Sequence, residues 1–216
     1  MVEEDELVVL LTPERLRSYA GSTGDGRAAL RLYEWNMRAA ASVMELTGMV
    51  EVITRNAFDC ELRTWAADRH STGSWFDVVP LDTRGRSDLS KARVRGGRGG
   101  RPPEEHGRVV AELTFGFWRY LVESRYLTTL WTPALHRAFP AGPTDLLTRQ
   151  REVRRRMQQL HFVRNRAAHH EPIHERDLRR DHDYAIELLG WISPAAAGWA
   201  ADTTSLRAVL ATRPSP

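Results

Sequence analysis

The sequence has almost no cysteine and almost no lysine. One residue of 216 is cysteine, Cys60, which excludes an intramolecular disulfide and any zinc cluster built on cysteine. Its neighbours Asp59 and Glu61 discourage a thiolate, so Cys60 reads as a packing residue rather than a nucleophile. The single lysine, Lys91, leaves thirty of the 31 basic residues as arginine. A coding bias toward arginine accounts for some of that skew. Arginine is also the better phosphate ligand, because its planar fork donates in pairs and stays charged. No apolar run approaches the roughly 20 residues that cross a bilayer. The opening Met1-Val2-Glu3-Glu4-Asp5-Glu6 is acidic where a signal peptide needs positive charge, and the apolar stretch Leu7–Leu11 is short. Stretches of strictly alternating residues, the mark of half-buried strands, are missing too. The expectation is a soluble, cytoplasmic protein without a membrane span.

What is present is ordinary globular material, 42% hydrophobic and 27% charged, long enough for one sizeable core. The 28 acidic residues nearly offset the basic ones and the net charge is only +3, so an anionic partner has to be held by a local patch.

Helical periodicity runs through the chain. Thr12-Pro13-Glu14 has an N-cap followed by proline at the first helical position, with Gly21 as the stop and 21–26 as a turn. Residues 27–68 read as a helix carrying Leu30, Tyr33, Met37, Ala41, Met44, Met49, Ile53 and Ala57, with a bend or break expected at Thr47-Gly48. Between Arg84 and Arg108 lie eight basic and three acidic residues. The centre of that stretch, 95–103, has too little apolar content to pack, so 84–108 is expected to be a mobile basic loop. Helices follow at 109–125, at 144–169 with an apolar stripe of Val153, Met157, Leu160, Val163 and Ala167, and at 177–191. A small-residue link and a short helix near 204–211 close the chain. The expected architecture is an all-α bundle forming one domain over 1–216, with residues 194–216 as a short C-terminal helix and tail.

Five of the eight histidines, at 161, 169, 170, 174 and 182, fall within 22 residues. On a helix Asn165 and His169 share a face, and His161 stands on the same row one turn earlier. Arg164 is rotated away but is long enough to curl toward that row. A guanidinium, an amide and an imidazole at one helix end suit in-line cleavage of a phosphodiester. The imidazole moves a proton near neutral pH, and the guanidinium stabilises charge on the phosphorane. The plain alternative is that His169 and His170 simply suit a helix C-terminus, with the arginines a solvated face. A competing pattern, His170-Glu171-Pro172-Ile173-His174, matches the H-E-x-x-H of zinc hydrolases. It binds a metal only on a helix, and Pro172 within it disfavours that geometry.

Arg164-Asn165-x-x-x-His169 resembles the R-x4-6-H signature of HEPN domains. The longer string from Arg164 to Ile173 is similar to the Abi-like (abortive infection) branch of that superfamily. Leu32–Asn36, Glu51–Ala57 and Ala111–Trp118 extend the likeness to about residues 27–192. The resemblance implies a HEPN-type helical bundle and a metal-independent endoribonuclease without a cofactor. It also implies a homodimer, because such sites usually pair two motifs and this chain has one. Carried over, Arg164 binds the scissile phosphate, Asn165 orients His169, and His169 moves the proton, with His170 second in line. The ribose 2′-OH attacks, leaving a 2′,3′-cyclic phosphate and a 5′-OH end. Such enzymes cut RNA in phage defence and toxin–antitoxin systems, so an antitoxin or a regulatory RNA is a possible partner. Glu51, Arg55, Asn56 and Glu171 are candidate supporting residues; Glu51 and Arg55 also suit a plain i,i+4 surface pair. Arg93, Arg95, Arg98 and Arg101 in the basic loop are candidates for tracking an RNA backbone. Two alternatives stand beside the nuclease: a non-catalytic RNA-binding HEPN regulator, and a zinc hydrolase through His170, Glu171 and His174. Trp75, Phe76, Phe115, Phe117, Trp118 and Trp131 read as core rather than as base platforms.

Overall fold

A computed structural model describes residues 4–97 and 105–214. Every regular element among them is helical: α1 (Glu4–Leu11), α2 (Pro13–Thr23), α3 (Gly26–His70), α4 (Thr83–Gly96), α5 (His106–Glu112), α6 (Phe115–Tyr120), α7 (Leu146–Ala168), α8 (Leu178–Ile192), α9 (Pro194–Thr203) and α10 (Leu206–Ala211), with short 3₁₀ and π turns between Ser124 and Ala138. The all-α expectation holds. No helix of the described residues is long and apolar enough to cross a membrane.

The axis of the molecule is α3, 45 residues long, which packs against α2, α7, α8 and α10. Asp25 caps its start by accepting from the Ala28 N–H at 3.0 Å. Of the bend or break expected at Thr47-Gly48, a break is absent: the helix is continuous there. The Thr47 hydroxyl donates to the Val43 carbonyl at 2.7 Å, so this buried polar group is satisfied within the helix. The preceding helix runs past Gly21 to Thr23 and ends instead on Gly24, whose φ of 69° is the left-handed conformation glycine tolerates best.

One contiguous core links α2 to α10 and takes in Trp75, Phe76, Phe115, Phe117, Trp118 and Trp131, as the sequence predicts. Trp131 donates its indole N–H to the Leu146 carbonyl at 2.9 Å, which ties the turn region to the start of α7.

The expected loop at 84–108 is corrected. Residues 83–96 form α4, capped by Asp82, with Leu89, Ala92 and Gly96 buried. Gly96 lies so close to α5 that an added Cβ would meet the Val109 nitrogen at 2.8 Å. Leu89 and Ala92 are enough to dock a helix that its arginines keep soluble on the other side. The expected helix at 109–125 is divided, because Leu113 turns extended and Thr114 caps a new helix by accepting from the Phe117 N–H. The link before the last helix is itself helical, α9. Cys60 is exposed rather than packed, because it falls on the outer face of α3.

Candidate functional site

Helix α7 is amphipathic. Val153, Met157, Leu160, Val163 and Ala167 are buried against the core, which leaves His161, Arg164 and Asn165 half-buried beside that stripe. Side chains on a helix lean toward its N-terminus. Asn165 therefore reaches back one turn: its Nδ2 lies 3.2 Å from Nε2 of His161. Its Oδ1 accepts from Nη1 of Arg164 at 3.4 Å. The expectation that Asn165 orients His169 is thus corrected, and the imidazole it holds is that of His161.

Helices α6 and α3 flank this set. The ring of Phe115, at the start of α6, meets the His161 ring edge-on at 5.9 Å, and a Cβ added to Gly116 would stand 3.1 Å from its Nε2. The absence of a side chain at Gly116 is what lets α6 approach so closely. From α3 comes Glu51. Burial pushes its carboxyl above the ordinary value, while the charges of Arg164 and Arg55 and the Phe115 backbone N–H pull it back. Burial likewise holds the His161 imidazole below its ordinary value, reinforced by the positive charges of Arg119, Arg164 and Arg84. Arg119 is itself held by Glu123 at 2.7 Å. Of the supporting residues, Glu51 and Arg55 therefore come to the Arg164 side of α7, with Arg55 Nε buried and unpartnered. Asn56 is exposed and takes no part.

The end of α7 is different. His169 is the C-cap residue and is exposed, with no side-chain hydrogen bond among the described residues. His170 follows with φ 56°, donates its N–H to the Ala167 carbonyl, and is followed by Glu171 N–H to the Arg166 carbonyl at 2.8 Å. That is the hydrogen-bond pattern of a Schellman stop with histidine where glycine is usual, a strained choice. Arg15 of α2 donates to the His170 carbonyl and clamps the turn. Glu171 is exposed and pairs with Arg166 at 3.3 Å, so it belongs to the stop and not to the Arg164 cluster.

The H-E-x-x-H stretch is not a helix. His174 is buried, its Nε2 lies 3.2 Å from the Ser22 hydroxyl, and its ring packs at a tilt against Tyr19 with centroids 4.7 Å apart, whereas His170 faces solvent. The pair does not share the face that the zinc reading requires, and Pro172 is the reason. Among the described residues no three His, Cys, Asp or Glu side chains converge as metal ligands. In the basic region, Arg93 pairs with Asp77 at 2.5 Å and Arg95 with Glu112 at 2.7 Å, so both guanidinium groups are already engaged within the protein. Arg98 and Arg101 lie outside the described residues.

Comparison with known proteins adds nothing to this site. No family model, no curated protein and no solved structure matches the chain. What the site can do follows from its own chemistry. The Asn165 amide links the Arg164 guanidinium to the His161 imidazole, whose proton affinity burial lowers, and a second imidazole, that of His169, stands exposed about two turns beyond His161. Two of these features lay hidden in the sequence. The spacing of His161 and Asn165 was visible, but only helix direction selects that pair over Asn165 and His169. Arg119 carried no local signal, since it reaches the site from another element.

Proposed function

We propose that the chain is a metal-independent endoribonuclease, with Arg164 and His169 as its working groups. One observation supports the reading above others: a half-buried, oriented Arg164 and a solvent-open His169 stand about one turn apart at the same helix end. Arg164 would bind the scissile phosphate and stabilise the charge that builds on its equatorial oxygens. The ribose 2′-oxygen attacks phosphorus as the bond from phosphorus to the 5′-oxygen breaks. One imidazole takes the 2′-hydroxyl proton and a protonated group returns one to the leaving 5′-oxygen, giving a 2′,3′-cyclic phosphate and a 5′-OH. Two imidazoles are exposed at this end, those of His169 and His170, and His170 leaves the helix row because its backbone is left-handed. A second copy of the chain would supply the other proton carrier, so the active form is proposed to be a homodimer. On the resemblance of Arg164–Ile173 to the Abi-like branch, we propose phage defence or toxin–antitoxin control as the setting of this activity.

The test is cleavage of a mixed RNA substrate in EDTA by the purified full chain, with products end-mapped. Arg164→Ala and His169→Ala are expected to abolish cutting while circular dichroism stays that of the parent. Unchanged cutting in both variants sinks the proposal.

A second reading, a non-catalytic RNA-binding protein, has one observation in its favour: the imidazole that carries an orienting amide is His161 and not His169. RNA binding that weakens with salt, with no product from any substrate, is the result that selects it.

A further inference from the structure

Phe162 is 50% exposed, while Phe115, Phe117 and Trp118 nearby are buried. It lies between His161 and Val163 on α7, on the outward side of the helix. Two guanidinium groups stand over its ring, Arg176 at 5.1 Å and Arg166 at 5.8 Å from the centroid. The ring is also a wall shared by two concave openings. One, of about 480 Å³, includes Arg119, His161 and Asn165; the other, of about 530 Å³, includes Pro172, His174 and Arg180. The exposed aromatic thus separates the site's own amide and imidazole from a second recess.

The chemistry of these walls selects the ligand. Only Phe162 and Pro172 are apolar, which is too little for the core of a protein interface. The flanking arginines are already fixed. Arg166 donates to the Pro172 carbonyl at 2.6 Å, and Arg176 donates to Asp181 at 2.7 Å and to the Gln159 side chain at 3.0 Å. A flat group settling on Phe162 therefore meets preordered neighbours and pays little to immobilise them. Arg119, Arg166, Arg176 and Arg180 are partly offset by Glu171, Glu175 and Asp177, so the recesses are not a strongly positive trough. Recognition there has to come from stacking and from hydrogen bonds to Gln158, Gln159 and the carboxylates.

We propose that Phe162 is a stacking platform for an unpaired base of single-stranded RNA, which holds a nucleotide beside the recess of His161 and Asn165. The identity of the ligand rests on the ribonuclease reading; the platform itself rests on the exposed ring, its two guanidinium neighbours and the paired recesses.

The experiment measures binding of a short fluorescent 2′-O-methyl RNA of mixed sequence, which lacks the attacking hydroxyl, by anisotropy with the full chain. Phe162→Ala is expected to weaken binding about tenfold, Phe162→Leu equally, and Phe162→Trp not at all. The slope of log affinity against log salt should not change, since no phosphate contact is removed. Equal affinity for the parent and Phe162→Ala overturns the inference, and so does absence of binding to the parent. Conversion of a dimer to a monomer by Phe162→Ala overturns it as well, and makes the ring a contact between copies. Phe162-dependent binding with no cleavage of natural RNA leaves the platform standing and removes the nuclease. Cleavage that depends on Arg164 but not on Phe162 does the reverse.

Discussion

His161 and His169 stand about two turns apart on one helix and share little else. His161 is half-buried, held by an amide and roofed by Phe115, and burial, with three arginines, holds its imidazole below the ordinary value. His169 is exposed at the helix end with no side-chain partner among the described residues. A proton carrier needs both access to substrate and a fixed orientation, and each histidine has one of the two. The difference has a simple origin. A helix directs its side chains backward, so Asn165 serves the residue four before it and leaves the one four after it to the solvent or to a partner. In the proposed enzyme the free imidazole gains its orientation only when RNA or a second copy arrives.

The largest effect that can break this comparison is on cleavage. Arg164→Ala and His169→Ala are each expected to cost at least about 100-fold in the rate of RNA cutting. His161→Ala should cost clearly less, because it alters the surroundings of Arg164 without removing a proton carrier. Single-turnover rates on one labelled RNA decide it. If His161→Ala is the more damaging of the two histidine variants, the roles are exchanged and the buried imidazole does the chemistry.

A double-mutant cycle sharpens the same contrast through stability. Asn165→Ala and His161→Ala remove the two ends of one hydrogen bond, so their effects should couple by about 1 kcal/mol. The side chains of Asn165 and His169 share no hydrogen bond, only their backbones do, so Asn165→Ala and His169→Ala should be additive within about 0.5 kcal/mol. Urea denaturation of the four variants of each cycle measures both. Coupling in the second cycle would mean that Asn165 reaches His169 in solution.

Much of this molecule was legible in advance, and what was not has identifiable causes. The bounds of α7 and α8 were readable from helical periodicity to within about two residues, and the structure adds Asp145 and Asp177 as the caps that start them. The same logic misjudged α4, because its four arginines and two glycines hid Leu89 and Ala92, the apolar side chains that dock it. Composition signals solubility, whereas docking needs only a few contacts in register. Cys60 was misplaced because the packing tendency of cysteine is an average, and its position on α3 faces out. Arg164 and Asn165 were singled out from spacing; Glu51 and Arg55 come to their side because α3 packs on α7. Phe162 was passed over because an aromatic beside an apolar stripe is usually core.

The histidines of the failed zinc motif give the next prediction. His174 is buried against Tyr19, Ser18 and Ser22, and burial holds its imidazole below the ordinary value even though Glu175 pulls the other way and Arg213 and Arg166 add repulsion. The unfolded chain binds that proton near pH 6.5, the folded chain only at lower pH. Stability from this group is therefore present above about pH 6.5 and declines as the pH falls below it, until the folded value is passed. Thermal melts between about pH 7 and pH 5 should show that decline, and His174→Gln should flatten it. An unchanged slope in the variant would assign the pH response elsewhere, with His161, shifted in the same direction, as the next group to remove.

The smallest expected effect tests the roof over His161. A Cβ at Gly116 would stand 3.1 Å from His161 Nε2, the atom that Asn165 holds. Gly116→Ala therefore pushes the ring by a few tenths of an ångström and weakens that bond, a loss of about 1 kcal/mol at most. The same change gains roughly 0.5–1 kcal/mol in helix propensity, so the two terms nearly cancel. A melting curve should hardly move. The imidazole reports the change instead: in a nuclear magnetic resonance titration the His161 signals should shift and its midpoint should move. RNA cutting should stay close to the parent rate if His169 carries the proton. A fall in cutting as deep as that of His169→Ala would show that the position of the buried ring sets the rate, and the contrast between the two histidines would then run the other way.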